Sequence, residues 1–157
     1  MREPVDGVQI IGNFNSENCF MPVDSQEDKS LLQIAGRSFY VLGILDGGSE
    51  PTTHAMQDIS ILKDEFEEWG GSMIFVFQDE EGLDNFKMKS FNDLPSNITF
   101  GIDDGTMLSE AVSNMKLQNR SLPIFLIANS NNEVVFVLQG YTIGLGEQIV
   151  KVLHRIP

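Results

Sequence analysis

Phe39-Tyr-Val-Leu-Gly-Ile-Leu45 runs directly into Asp46-Gly-Gly-Ser-Glu-Pro-Thr-Thr-His54, and a long amphipathic pattern follows. Seven residues that are apolar almost throughout predict a central strand buried on both faces. The next stretch carries helix-start signals: Ser49 supplies a capping oxygen, Glu50 suits the positive end of the helix dipole, and Pro51 fits a first turn, where a missing N–H costs nothing. A strand end and a helix N-terminus therefore meet here with free backbone N–H groups. In α/β proteins that is the usual place for chemistry.

Working outward, Ala55, Ile59, Leu62, Phe66 and Trp69 recur at spacings of four, three, four and three, with Asp58, Asp64, Glu65, Glu67 and Glu68 between them. This predicts one helix with a single buried face, stopped by Gly70-Gly71. Met73–77 reads as the next central strand, and 82–91 as a helix through Leu83, Phe86 and Phe91. A third strand is expected over 98–102, then a turn at Asp103-Asp104-Gly105 and a helix over 107–115 with Leu108, Ala111, Val112 and Met115 on one face. Strands over 121–128 and 133–138, separated by Asn129-Ser-Asn-Asn132, should form an antiparallel hairpin. Gly140, Gly144 and Gly146 lead to a last helix with Leu145, Ile149, Val152 and Leu153 inward. Before the central strand, 8–14 is a short β-like run, and 25–34, a polar stretch ending in Leu31-Leu32, reads as a short helix or an ordered connection.

Strand, short loop, Ser49-Glu50-Pro51-Thr52 and helix resemble the thioredoxin-like superfamily, in which this place holds Cys-x-Pro-Cys. The resemblance implies an α/β thioredoxin-like fold, a central mixed sheet flanked by helices. It also implies an N-terminal extension over 1–36 on a core of 37–157, together one domain. Ser49 and Thr52 stand where the two cysteines would be. In redox members the first cysteine attacks as a thiolate and the second resolves the mixed disulfide. A serine hydroxyl stays protonated near neutral pH, and a Ser/Thr pair forms no disulfide, so the resemblance carries the fold without the dithiol chemistry. Leu122-Pro123, at the start of the strand expected to face the junction, matches the place where the family keeps a cis proline. In redox relatives an extended polypeptide lies beside that proline. The groove residues implied here are Ser49, Glu50, Pro51, Thr52, His54, Leu122 and Pro123. More narrowly, Glu50-Pro-Thr-Thr-His54 with Val134-Val-Phe-Val-Leu-Gln-Gly-Tyr-Thr-Ile-Gly-Leu-Gly-Glu147 resembles the C-terminal module of bacterial envelope proteins that carry a transglutaminase-like domain. That implies a piece of a larger envelope or periplasmic protein, with its partners among proteins, peptides or neighbouring domains.

Composition narrows the classes. The chain has 157 residues and is 41% hydrophobic, enough for one well-buried domain and short for two. Its 23 acidic against 10 basic residues give a formal charge of −13, which repels nucleic acid and acidic membranes. No run of about 18 apolar residues is present to insert into a bilayer. One cysteine, Cys19, excludes an intramolecular disulfide and any cysteine-based metal cage. No cofactor or metal is implied.

Two enzymatic readings compete with a binding module. One is thiol–disulfide or peroxiredoxin-like chemistry, which here would rest on Cys19 and an external thiol. The other is a hydrolase using Ser49 with His54, and the order Ser49, Asp103, His154 is that of a nucleophile-elbow hydrolase. Against it, Pro51 replaces the second glycine of Gly-x-Ser-x-Gly, and His154 falls in a helix. The glycines at 140, 144 and 146 fit neither phosphate-loop spacing, and Asp103-Asp104-Gly105 lacks the spacing of a calcium loop.

Overall fold

A computed structural model describes residues 9–87 and 93–156. The elements follow the chain as β1 (Gly12–Asn13), β2 (Cys19–Pro22), β3 (Lys29–Ser30), α1 (Leu31–Ala35), β4 (Tyr40–Leu45), α2 (Glu50–Ile61), α3 (Lys63–Trp69), β5 (Ser72–Phe77), α4 (Glu80–Lys87), β6 (Ile98–Ile102), α5 (Thr106–Asn114), β7 (Ile124–Ala128), β8 (Glu133–Gln139) and α6 (Leu145–Leu153). Among the described residues they build an eight-stranded sheet in the order β1-β8-β7-β4-β5-β6-β2-β3. β4, β5 and β6 are parallel, β7 and β8 form the expected antiparallel hairpin, and β7 pairs antiparallel with β4.

Every residue of β4 is buried, as its unbroken apolar run requires. Its side chains alternate between two cores. Val41 and Leu45 join Phe75, Phe77, Phe125 and the inner faces of α2, α3, α4 and α6. Tyr40, Leu42 and Ile44 join Ile74, Val76, Ile124, Leu126, the inner face of α5 and the N-terminal residues Phe14, Phe20 and Leu31. Gly43 lies mid-strand for want of room: a Cβ there would come 2.8 Å from Phe75 and 2.9 Å from Phe125. Those two rings meet edge to face at 5.7 Å, a geometry worth about 0.5–1.5 kcal/mol beyond the area it buries.

The N-terminal segment is fastened by polar contacts. Ser16, buried, donates to the Asn129 carbonyl at 2.7 Å and lies 3.0 Å from the Tyr40 hydroxyl. Asn18 and the Asn15 amide both reach the Glu110 carboxylate on α5. Burial raises the Tyr40 hydroxyl to about 12, opposed by the Ser16 hydrogen bond and reinforced by the Glu110 charge.

The structure corrects several expectations. The helix expected from 55 to 69 is two, α2 and α3, parted at Leu62, whose backbone leaves the helical region at φ −100°, ψ 23°. The hydrophobic spacing continued across the break because both helices turn the same side to the sheet. Gly70 ends α3 in the left-handed conformation, as expected of a C-terminal glycine. The strand read over 8–14 is only Gly12–Asn13 among the described residues, and β2 and β3 are additions. The 25–34 stretch becomes helical only at Leu31, after a capping box in which Ser30 and Gln33 satisfy each other's backbone N–H. Val152 on α6, Trp69 on α3, Val112 on α5 and Met115 just after it are only partly buried. Val8 and Phe91 fall outside the described residues.

Candidate functional site

β4 ends at Leu45, and the chain turns through Asp46-Gly47-Gly48 into α2. The turn is tight. A Cβ on Gly47 would lie 1.7 Å from the Gly82 carbonyl oxygen at the start of α4, so only glycine lets these backbones meet. This fixes Asp46 at the mouth of α2. One of its carboxylate oxygens, Oδ1, accepts from the Ser49 hydroxyl at 2.5 Å and from the Thr52 hydroxyl at 2.8 Å. Ser49 Oγ in turn accepts from the Thr52 backbone N–H at 3.4 Å, so Ser49 caps the helix as its sequence position requires. Thr52 is 2% exposed, and Thr53 donates back to the Ser49 carbonyl at 3.1 Å.

The structure brings some of the expected residues together and separates others. Ser49 and Thr52 share Asp46, while Glu50 and Pro51 lie exposed in the first turn. His54 is exposed, with its ring 5.4 Å from that of Tyr141. Leu122-Pro123 is a cis peptide bond. Because Ile124 pairs with Ile44, Pro123 stands at the sheet end where β4 opens into the Asp46 turn. The loop after β8 closes the same end, with Gly140 donating to the Pro123 carbonyl at 2.8 Å. Tyr141 donates to Asp58 of α2 at 3.1 Å, and burial chiefly, with the Asp58 bond and charge, raises its hydroxyl above the ordinary range.

The hydrolase order finds no assembly here. Ser49 spends its hydroxyl proton on Asp46. Asp103, buried, accepts from the backbone N–H groups of Gly105 and Met107 at the start of α5, and burial raises its carboxyl despite those bonds. His154 ends α6 and borders a 550 Å³ hollow with Leu62, Glu65, Ile143 and Lys151. Asp104 accepts from the Thr106 amide and hydroxyl, so the acidic turn serves the N-terminus of α5. The residue that sequence reasoning missed is Asp46. Its signal was present, a carboxylate ending a buried strand with hydroxyl residues three and six positions on.

Cys19, exposed, belongs to β2, and two strands, β5 and β6, separate β2 from β4. Three strand spacings amount to about 14 Å. The cysteine is thus remote from Ser49 across the sheet.

No protein-family model matches the sequence, and a comparison with curated proteins finds no match. Solved structures do match. A SCO1/SenC family lipoprotein from Bacillus anthracis superposes with a TM-score of 0.67 at 13% identity, covering 97% of this chain and 98% of the other. The fold is thioredoxin-like. The exposed lipoprotein thioredoxin of Streptococcus pneumoniae gives a TM-score of 0.61 at 16% identity, over 88% of this chain and 98% of its own. Peroxiredoxin Q of Xanthomonas campestris gives 0.61 at 16%, over 89% and 91%. The mixed sheet and the cis proline of this chain match the expectation drawn from residues 49–52 and 122–123. No helix among the described residues is long and apolar enough to cross a membrane.

Proposed function

We propose that this thioredoxin-like domain binds an extended polypeptide through Ser49, Glu50, Pro51, Thr52, His54, Leu122 and Pro123, at the end of the sheet where β4 turns into α2, and that it does so without dithiol exchange. The observation that carries the reading is the single Asp46 oxygen accepting from both hydroxyls. Thiol exchange needs an anion at the first position, and a carboxylate 2.5 Å from that atom opposes one. The arrangement favours two neutral donors held still. Leu122, just before the proline, offers backbone groups for an incoming strand, and exposed Pro51 and His54 offer side-chain contact. On this reading the chain is a module of a larger protein of the bacterial envelope, the narrower resemblance being to transglutaminase-associated modules. Two of the structural neighbours are themselves described as lipoproteins.

A second reading is thiol-based catalysis, favoured by neighbours described as a peroxiredoxin and a thioredoxin. In this chain it would have to use Cys19.

One experiment separates the two. The unmodified chain is assayed for insulin disulfide reduction beside the variant Ser49→Cys/Thr52→Cys/Cys19→Ser. The alkylated insulin B chain is also titrated into the unmodified chain, with backbone amide shifts followed by NMR. The expected result is no reduction by the unmodified chain, a reducible disulfide in the variant, and shifts centred on Ser49–His54 and Leu122. Reduction by the unmodified chain that Cys19→Ser abolishes would establish the thiol reading. Absence of shifts at the sheet end would remove the binding reading.

A further inference from the structure

Between Glu133 and Glu147 the sequence carries no charged residue, although 21% of the chain is charged. The first part of this stretch is β8, near the edge of the sheet. β1 pairs only with Glu133 and Val134, so among the described residues nothing pairs with 135–139 on the side away from β7. The bond from the Gly140 amide to the Pro123 carbonyl marks 123/140 as a hydrogen-bonded pair. Antiparallel alternation then makes 125/138 and 127/136 the bonded pairs. It turns the N–H and C=O of Val137 and Gln139 outward.

Natural sheets blunt such edges with lysine, proline, inward charge or bulges. This one has a single register shift, at the far end beside Ala128, and its open run holds Val135, Phe136, Val137 and Leu138, all half-buried. The open length is short, bounded by β1 on one side and by Gly140, with φ +78°, on the other. A stable dimer needs about 800 Å² from each partner, some 20–30 residues a side, more than this edge provides. Two copies would also bring together two chains of −13 each.

We infer that the open edge of β8 takes a short extended segment of another polypeptide, uncharged or basic, as an added strand. Main-chain bonds to Val137 and Gln139 hold it, and the half-buried apolar side chains on both faces select β-branched residues. The inference does not depend on the groove at Ser49 and Pro123.

The test uses the full chain and a synthetic peptide, Lys-Val-Thr-Val-Thr-Val-Lys, with amide hydrogen exchange read at Val137 and Gln139. Both amides should exchange freely in the chain alone and slow by about tenfold or more at saturating peptide. Val137→Pro removes an outward N–H that no described residue bonds, a place where an edge strand tolerates proline. It should weaken binding by about tenfold with little change in melting temperature, and Val137→Thr should bind as the parent does. If Val137→Pro fails to fold, a peptide N-methylated on its edge-facing residues provides the same test and should not bind. The inference is overturned by edge amides already protected in the chain alone, by concentration-dependent self-association that protects them, by shifts confined to Ser49–His54, or by an N-methylated peptide that binds unchanged.

Discussion

Ser49 has two roles that a substitution can separate. It caps α2, and it holds a hydrogen bond to Asp46. Ser49→Ala should cost about 1 kcal/mol of unfolding free energy, the ordinary value for a lost cap, measured by urea denaturation. Ser49→Asp, elsewhere a cap as good as serine, should recover none of it, because its carboxylate would face Asp46. Full recovery by Asp would mean that the Asp46 contact matters less than the cap. The serine and threonine could be read from the sequence because capping and the family position both point to them. Asp46 could not. Its importance arises from the side-chain direction at a strand end, and an acidic residue before two glycines reads locally as nothing more than a turn.

At the level of elements, what decides success is whether a signal is local. β4, β5 and the β7–β8 hairpin were legible because continuous apolar runs and an Asn/Ser turn state them within a few residues. β2 was not. It has only Phe20 and Pro22 buried, its nearby partner β3 is two residues long, and its tie to the central sheet is through Gly101 and Ile102, far along the chain. The break at Leu62 has neither proline nor glycine to announce it, whereas the capping box at Ser30 and Gln33 was in plain sequence and stops short of 25–29. Gly43 tests the packing between β4 and its neighbours. Gly43→Ala would drive a methyl into Phe75 and Phe125, so it should destabilise the fold by about 1–3 kcal/mol, read from the denaturation midpoint. A neutral result would show that both rings can move aside, and the edge-to-face pair would lose its claim to rigidity.

For the whole molecule, Tyr40 connects the N-terminal segment to the central sheet and gives stability a dependence on alkaline pH. Its hydroxyl is raised in the folded chain to about 12, from 10.0, so the unfolded chain gives up this proton first. The contribution is therefore complete below about pH 10 and is lost as pH rises toward 12. Denaturation midpoints should fall across that window, and Tyr40→Phe should flatten the fall. Below it, the variant should be less stable by about 1 kcal/mol for the lost buried bond to Ser16. An equal alkaline loss in the variant would place the effect elsewhere in the molecule.

Gly47 and Gly82 meet backbone to backbone, with no side chain between them to yield. A contact of that kind is a hard stop: α4 cannot move closer to the turn without displacing it. The turn that carries Asp46 is thus braced from outside its own loop, by a helix that contributes no group to the site.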